Sequence, residues 1–341
     1  MIQNYNSIRS IQILLYLIIF IMSGCAEKPT THAFINELPP SPIQTSHSLP
    51  VSEEQRFIDQ QVEQYRPKNI AYKTIWERLL SLYALPEIED ERIEKELQNY
   101  LKHPEYLTKI QQRAEPYLYF IVNEIESKNI PGELALLPVV ESAFRAHALS
   151  KSNASGLWQF IPATGRLFGL KQNWWYDGRR DIVTSTKAAT TYLKQLSQLY
   201  DGDWFLTLAA YNAGKGTIRK AIRKNKDNGL ATDYWSLPLR KETMDYVPRL
   251  LAIAKIFAHS EKYNIALTPT PNAAYFNIVD IESQINLTLA AEMADTAADD
   301  FYALNPGFKR ESTDPSGPFQ LLVHADKVDI FKENLSKTQV K

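Results

Sequence analysis

The sequence predicts a mainly α-helical protein that ends in a small α+β module. Two observations support this. Between about 57 and 265, apolar residues recur at helical spacing, as in Leu118, Ile121 and Ile125, and no alternating strand pattern interrupts them. After about residue 270, β-rich segments alternate with short helical ones, which is typical of a separate α+β unit.

Composition excludes several classes of protein. The chain has 341 residues, 38 Lys and Arg against 39 Asp and Glu, and a formal net charge of −1. Nucleic-acid-binding domains usually carry a basic excess, so we expect no nucleic-acid partner. One cysteine excludes a disulfide framework, and the six histidines show no metal-ligand spacing. We therefore expect no metal centre, and we further expect a monomer that uses no cofactor.

Residues 1–24 are predicted to be a lipoprotein signal peptide. The apolar run Ile11–Met22 is shorter than the roughly 20 residues that span a bilayer, and it fits the hydrophobic region of a secretory signal. Ser23 and Gly24 then precede Cys25, which resembles the lipobox of bacterial lipoproteins, where the cysteine thiol receives a diacylglycerol. The alternative is a plain secretory signal with an incidental cysteine.

The segment after Cys25 is predicted to be a tether. Ala26 follows the cysteine, and by resemblance to the Gram-negative sorting rule this favours the periplasmic face of the outer membrane. Residues 25–55 hold five prolines among polar residues, a composition that forms a mobile, extended spacer rather than a packed core. We expect a domain anchored to the membrane by lipid on Cys25.

Residues 56–265 are predicted to form one helical domain. Its helices are expected near 57–66, 70–83, 89–101, 104–127, 132–141, 158–167, 185–200, 203–213, 215–225 and 241–260. Pro131 lies at a plausible helix start, and Pro138 is expected to kink the helix over 132–141.

Residues 270–336 are predicted to form the α+β module. Strands are expected at 275–281 and 318–324, and helices at 287–296, 297–304 and 326–335. The order of these elements, with Asn305-Pro306-Gly307 after the second helix, resembles a LysM-type unit, which implies possible glycan binding.

Glu141 is the candidate catalytic residue. It ends the apolar run Leu134–Val140, so its carboxyl group is expected to be partly buried. Burial disfavours the charged form and raises the pKa, and a carboxylic acid that stays protonated near neutral pH can donate a proton to a glycosidic oxygen. On composition alone, the alternative is a helix-end glutamate in solvent.

Tryptophans are concentrated in one stretch of the chain. Four of the six lie between 150 and 216, at Trp158, Trp174, Trp175 and Trp204. Aromatic faces suit the C–H faces of sugar rings, so this stretch predicts a groove; the alternative is that these side chains belong to the core.

Four motifs in order resemble those of the lytic murein transglycosylases. They are Glu141-Ser142-x-Phe144, Ser155–Phe160 (SGLWQF), Ala210–Gly214 (AYNAG) and Glu242-Thr243-x-x-Tyr246-Val247. The similarity extends over about 105–260 and is greatest to the membrane-bound type D subfamily. It implies a lysozyme-like helical catalytic domain, a LysM-like module after it, and cleavage of the MurNAc–GlcNAc β-1,4 bond in peptidoglycan glycan strands with formation of 1,6-anhydro-MurNAc ends.

The resemblance also implies the roles of individual residues. Glu141 matches the family's catalytic acid/base. Substrate-binding or orienting roles fall to Ser142, Ser155, Gly156, Gln159, Tyr211, Asn212 and Tyr246.

A second catalytic carboxylate is not evident in the motifs. Two-carboxylate glycosidases place their acids about 5–9.5 Å apart. Glu242 is expected to cap a helix, whereas Asp177 and Asp181 are expected to cap helices and to pair with Arg179 or Arg180. The alternatives are a lysozyme-like hydrolase with a second acid not yet identified, and a non-catalytic murein-binding scaffold. Burial of an acid lowers the stability of the fold, and a protein that only binds murein has no need of such a group.

Overall fold

The computed structural model describes residues 72–339. The predicted signal peptide, the lipidation site at Cys25, the tether and the helix near 57–66 lie outside the described residues. The α-helices are α1 Ile75–Ser81, α2 Glu91–Leu101, α3 Pro104–Ser127, α4 Leu137–Ser142, α5 Pro162–Leu167, α6 Ile182–Leu199, α7 Trp204–Ala213, α8 Lys215–Asp227, α9 Lys241–Ala258, α10 Leu287–Met293, α11 Ala298–Leu304 and α12 Val328–Gln339. Short 3₁₀ helices occupy Gly132–Leu136, Tyr234–Ser236 and Ala325–Lys327.

Several helices begin where a side chain accepts hydrogen bonds from the free backbone N–H groups of the first turn. Thr74 forms a capping box with Glu77 at α1, so that helix starts later than the predicted 70–83. Asp181 accepts from the backbone N–H of Thr184, and α6 therefore starts earlier than the predicted 185–200. α5 starts at Pro162, a residue suited to the first turn of a helix because it has no N–H to leave unpaired.

The helical part is organised around α7. Leu206–Ala210 are all buried, as expected for a helix enclosed on every side. α7 packs against α6, α8 and α9, and α9 packs along α2. One hydrophobic cluster joins these helices, and Trp158, Phe144 and Phe257 are among its largest fully buried side chains.

The predicted kinked helix over 132–141 is wrong. The structure has a 3₁₀ helix at Gly132–Leu136 and then the separate α-helix α4, with Pro138 in the first turn of α4. A proline in a first turn breaks no helical hydrogen bond, so a new helix begins there instead of a bent one continuing. This places Glu141 in the last turn of a short helix.

The C-terminal module has the predicted strand–helix–helix–strand–helix order. Strands β1 (Phe276–Asp280) and β2 (Gln320–His324) pair antiparallel, with Phe276 opposite His324 and Asp280 opposite Gln320. Its own hydrophobic cluster includes Phe301, Phe331, Val323 and Tyr176, the last from the helical part. The mainly α fold with a small α+β module is confirmed.

Within residues 72–339, no helix combines the length and the apolar character needed to cross a bilayer.

Candidate active site

A cavity of about 420 Å³ opens beside the end of α4. Its walls come from α4, from the segment over 150–164, from α6, from α7 with the residue after it, and from α9. Five of the residues predicted from the sequence line it: Glu141, Gln159, Tyr211, Asn212 and Tyr246. Three others, Ser142, Ser155 and Gly156, are buried behind the wall.

The backbone after Glu141 turns sharply. Ala143 and Phe144 have φ values of 52° and 54°, in the left-handed region that favours glycine. Their N–H groups donate to the carbonyl oxygens of Val139 and Pro138, at 3.2 and 3.0 Å, and close the helix end. Such residues cost roughly 1–3 kcal/mol each, and they persist where the surroundings fix them, here through buried Phe144.

The environment of Glu141 shifts its protonation. Burial raises the pKa of the half-buried carboxyl group to about 7. The Tyr246 hydroxyl donates a hydrogen bond to Glu141 Oε1, which lowers the pKa, and the negative charge of Glu242 raises it. The carboxyl group is thus partly protonated near neutral pH, as a general acid requires.

Hydrogen bonds join the first motif to the second, and the second to the third. Ser142 Oγ donates to the carbonyl oxygen of Leu157 at 2.9 Å. The Tyr211 hydroxyl donates to the carbonyl oxygen of Trp158, also at 2.9 Å. Both donors have their partners in protein backbone, so these two residues fix the SGLWQF segment in place.

Two more hydrogen bonds join the third motif to the fourth and the fourth to the first. Thr243 Oγ1 donates to Asn212 Oδ1 at 2.8 Å, and this joins the third motif to the fourth. Tyr246 then returns from the fourth motif to Glu141. Four hydrogen bonds therefore join the four motifs in a closed ring that includes Glu141.

The SGLWQF segment is itself tightly folded. Ser155 Oγ accepts from Arg180 Nε at 3.0 Å. Gly156 has φ +84°, and a Cβ at this position would lie 1.9 Å from the carbonyl oxygen of Arg179. Gln159 Nε2 donates to the carbonyl oxygen of Gly156 at 2.8 Å. In this arrangement Ser155 and Gly156 support the wall, and Gln159 faces the cavity.

The other acidic residues singled out from the sequence have clear positions. Asp177 pairs with Arg179 at 2.7 Å, both being buried, and Asp181 caps α6, as predicted. The capping prediction for Glu242 is wrong: the described structure gives α9 no side-chain cap. Glu242 lies in the first turn of that helix, where its charge is favoured by the helix dipole, and it lines the cavity near Glu141.

Several residues of the cavity wall carry no signal in the sequence that predicts their place there. They are Ser150, Ser152, Thr164, Tyr192 and Arg249. Tyr192 belongs to an apolar helical stripe that predicts core packing, yet its ring lies 5.4 Å from that of Tyr211 beside the cavity. A stripe of this kind does not distinguish a cavity wall from a core.

The cavity is lined by aromatic residues other than the tryptophans from which a groove is predicted. Trp158 is fully buried, and its Nε1 donates to Thr186 Oγ1 at 2.9 Å. The aromatic residues described as lining the cavity are Phe160 and three tyrosines, with no tryptophan among them.

Comparisons with known proteins agree with the motifs. Residues 119–233 match the family described as Transglycosylase SLT domain, and residues 275–340 match the family described as Lytic transglycosylase MltD, LysM-like domain. The SLT-domain match includes all the predicted site residues that lie within residues 72–339 except Tyr246, which comes after the end of the match at residue 233.

Individual relatives carry related names. The membrane-bound lytic murein transglycosylase D of Escherichia coli K12 is 42% identical over 252 residues, which are 74% of this chain and 56% of that protein. The membrane-bound lytic murein transglycosylase C of Haemophilus influenzae 86-028NP is 28% identical over 204 residues, 54% of this chain and 56% of that one. The chain thus spans little more than half the length of these relatives.

A solved structure also matches part of the chain. It is the X-ray structure of an inactive mutant of the lytic transglycosylase Slt from Pseudomonas aeruginosa, with 28% identity, a TM-score of 0.34, and coverage of 44% of this chain and 25% of that one. The two family matches and the E. coli relative carry the assignment. By similarity, residues 119–233 are assigned to the transglycosylase SLT domain, and residues 275–340 to the LysM-like domain of the MltD kind.

Proposed function

We propose that this protein is a lytic transglycosylase that cleaves the MurNAc–GlcNAc β-1,4 bond of peptidoglycan glycan strands. One observation carries the proposal: Glu141, with a pKa raised to about 7 by burial, lines a cavity of about 420 Å³ and accepts a hydrogen bond from Tyr246. The SLT-domain match and the E. coli relative support the choice of substrate.

The mechanism needs one carboxyl group with two roles. Protonated Glu141 donates its proton to the glycosidic oxygen as the bond from C1 of the muramic acid breaks. The Glu141 carboxylate then accepts the proton of the C6 hydroxyl as O6 bonds to C1, and the acid is regenerated. The N-acetyl group of the same sugar assists from within the substrate. No water is consumed, and the new end is a 1,6-anhydro ring.

Positioning of Glu141 is the task of the hydrogen-bond ring. Tyr246 holds Oε1, and Ser142 and Tyr211 fix the backbone of the SGLWQF segment that carries Gln159. Gln159 and Asn212 line the cavity and are placed to orient the sugar on either side of the cleaved bond. A hydroxyl held in this way attacks with an effective concentration of up to about 10⁵–10⁸ M.

A second candidate function is hydrolysis. Glu242 lines the same cavity and lies near enough for its charge to raise the pKa of Glu141. If Glu242 activated a water molecule, the product would carry an ordinary reducing end.

One experiment separates the two reactions. Purified peptidoglycan is digested, reduced with borodeuteride, and analysed by mass spectrometry. We expect muropeptides lighter by one water than hydrolysed ends and without deuterium. Deuterium uptake that disappears in Glu242→Gln would contradict the transglycosylase and establish the hydrolase.

The role of Glu141 is tested by Glu141→Gln. Loss of the proton donor should lower turnover at least about 10²–10⁴-fold while the fold and peptidoglycan binding remain. The isosteric amide still accepts the hydrogen bond from Tyr246. Near-normal turnover in this variant would contradict the assignment, and binding without turnover in the unaltered protein would favour a murein-binding scaffold.

We further propose the domain organisation and location predicted from the sequence. Residues 1–24 act as a signal peptide, 25–55 as a tether, 56–265 as the catalytic domain and 270–336 as the glycan-facing module of a monomer. Lipid on Cys25 anchors the protein at the periplasmic face of the outer membrane; the E. coli relative is named as membrane-bound, which supports envelope association.

The anchor is tested by intact mass and by fractionation. We expect loss of residues 1–24, a mass gain from acyl chains, and release of Cys25→Ser into the soluble periplasmic fraction. If Cys25→Ser still sediments with membranes, the anchor does not lie on this thiol.

A further inference from the structure

An exposed indole lies where the helical part meets the C-terminal module. Trp174, in the loop between α5 and α6, is 67% exposed. The guanidinium carbon of Arg310, from the C-terminal module, lies 3.5 Å from the centroid of the Trp174 ring. The cation covers one face of the indole, so the exposed area belongs to the other face and the edge.

The loop that carries Trp174 is fixed on both sides. Asn173 Oδ1 accepts from the backbone N–H groups of Trp175 and Tyr176, at 2.9 and 2.8 Å. Lys309 donates its backbone N–H to the carbonyl oxygen of Trp175 at 2.8 Å, and the Tyr176 ring is buried in the C-terminal cluster. These contacts fix the backbone on both sides of Trp174 and leave its side chain exposed to water, although exposure of apolar surface is unfavourable. Tryptophan is enriched in binding interfaces relative to the rest of the protein surface.

Arg310 is a cation without an acidic partner among the described residues. Its Nε is buried and has no hydrogen-bond partner, and none of the ion pairs formed within residues 72–339 includes it. A guanidinium group normally pairs with a carboxylate or phosphate where one is available.

A second arginine–tryptophan contact shows the contrast. Arg92 lies 4.8 Å from the Trp235 ring, but it also pairs with Asp90 at 2.7 Å. Trp235 packs edge-on against Phe205 and Tyr234. Arg92 and Trp235 thus both have partners within the protein. The contact of Trp174 with Arg310 instead leaves an aromatic face and a positive charge available.

We propose that Trp174 and Arg310 form a second ligand site, separate from the cavity, that binds a saccharide carrying a carboxylate. The open indole face packs against the C–H face of a pyranose ring, and the guanidinium group pairs with the carboxylate through charge-assisted hydrogen bonds. Muramic acid without a stem peptide has a free carboxylate on its lactyl ether, so choosing a peptide-free, muramic-acid-containing glycan as the ligand rests on the proposed function. Acidic glycans built from uronic acids share the same chemistry.

The position of the site suggests what it does. Trp174 belongs to the SLT-domain match and Arg310 to the LysM-like match, so the site exists only when the two parts are joined. A glycan bound there is held by both parts at once, and this keeps a long strand on the enzyme independently of the bond being cleaved.

The test uses the full chain as the Glu141→Gln variant, labelled with fluorotryptophan. The fluorine NMR signal of Trp174 is assigned by Trp174→Phe. Because no tryptophan is among the described cavity residues, a shift of this signal reports the second site rather than the cavity. Titration with a peptide-free, muramic-acid-containing oligosaccharide should shift the signal, and a neutral N-acetylglucosamine oligomer should bind about tenfold more weakly.

Two variants test the charge. Arg310→Gln should weaken binding of the acidic oligosaccharide about tenfold and leave binding of the neutral oligomer unchanged. Arg92→Gln, which removes the other cation over a tryptophan, is the matched control and should change neither. A Trp174 signal that does not move with acidic saccharide, or an Arg310→Gln variant with unchanged affinity, would overturn the proposal. If Arg310→Gln fails to fold, the titration of the chain that retains Arg310 still tests the proposal through the Trp174 signal.

Two further measurements separate the ligand source and the proposed function. A uronic acid oligomer that binds more tightly than the muramic-acid-containing one would overturn the choice of murein as the ligand. Release of anhydro-muropeptides by the unaltered protein is measured in parallel. A shifted Trp174 signal without such release would retain the second site and reject the proposed function, whereas release without a shift would do the reverse.

Discussion

At the residue scale, the environment of Glu141 sets the pH at which the protein can act. The group must be protonated to donate to the leaving oxygen, so kcat/KM should fall as the pH rises through the pKa of about 7. Its two charged or hydrogen-bonding neighbours act in opposite directions: Tyr246 lowers the pKa and Glu242 raises it. This opposition makes the assignment testable by the direction of change alone.

We expect Tyr246→Phe and Glu242→Gln to move the alkaline limb of the pH–rate profile in opposite directions. Removing the hydroxyl that stabilises the ionised form raises the pKa of Glu141, so the limb moves to higher pH. Removing the nearby negative charge lowers that pKa, so the limb moves to lower pH. The measurement is kcat/KM for muropeptide release across pH 5–9.

Glu105→Gln is the control for this pair. Glu105 is an exposed carboxylate in the first turn of α3, outside the wall of the cavity, and its loss should leave the limb in place. Shifts of both test variants in one direction would show that Glu141 is not the titrating group.

At the element scale, the SGLWQF loop is determined by a close approach between two backbones. Gly156 lies against the carbonyl oxygen of Arg179, whose side chain pairs with buried Asp177 and donates to the carbonyl oxygens of Asn153 and Phe160. The glycine in the motif is thus explained by packing within the protein. The loop, in turn, carries Gln159 at the cavity wall.

We expect Gly156→Ala to lower the free energy of unfolding by about 2–5 kcal/mol, from the left-handed conformation plus overpacking. Gly169→Ala is the matched control, because Gly169 has a similar φ of +75° but nothing within 4 Å of its added Cβ. It should cost only about 1–2 kcal/mol. Urea unfolding of both variants measures the difference, and equal losses would show that the approach to Arg179 is not what requires glycine.

At the scale of the whole molecule, a buried carboxylate fastens the C-terminal module to the helical part. Asp314 is 1% exposed and pairs with Lys171 at 2.9 Å, while Asn173 Nδ2 donates to it at 2.5 Å. Burial by itself raises the pKa of Asp314, but the hydrogen bonds from Asn173, Lys171 and Ser316 outweigh it and hold the pKa well below its usual range. The ionised form therefore stabilises the junction.

This linkage has a definite sign. Because the pKa is lower in the folded state, the stabilisation is present above the ordinary aspartate pKa of about 4 and is lost progressively as the pH falls below it. We expect Asp314→Asn to lower the free energy of unfolding by about 1–3 kcal/mol at pH 7. The difference from the unaltered protein should shrink at pH 3, as measured by urea unfolding.

Glu311→Gln provides the comparison for Asp314. Glu311 is an exposed carboxylate of the same segment, and its replacement should have little effect at either pH. A loss in Asp314→Asn that is equally large at pH 3 would contradict an ionised Asp314 as the source of the stability.

Much of this protein could be predicted from local patterns in the sequence. Apolar spacing located the helices, and capping residues such as Asp181 account for where they begin. The position of Glu141 after an apolar run predicted a buried acid with a raised pKa, and the structure agrees. These properties depend on neighbours within a few residues, which a sequence displays directly.

Tertiary structure alone decided how the motifs meet. Glu141 and Tyr246 are 105 positions apart, and no local pattern shows that one donates a hydrogen bond to the other. Glu242 was expected to cap a helix and lies instead at the cavity wall, because the packing of α9 fixes where its first turn faces. Periodicity reports that a side chain is buried; whether it faces a core, a cavity or, like Trp174, open water depends on which distant segment packs against it.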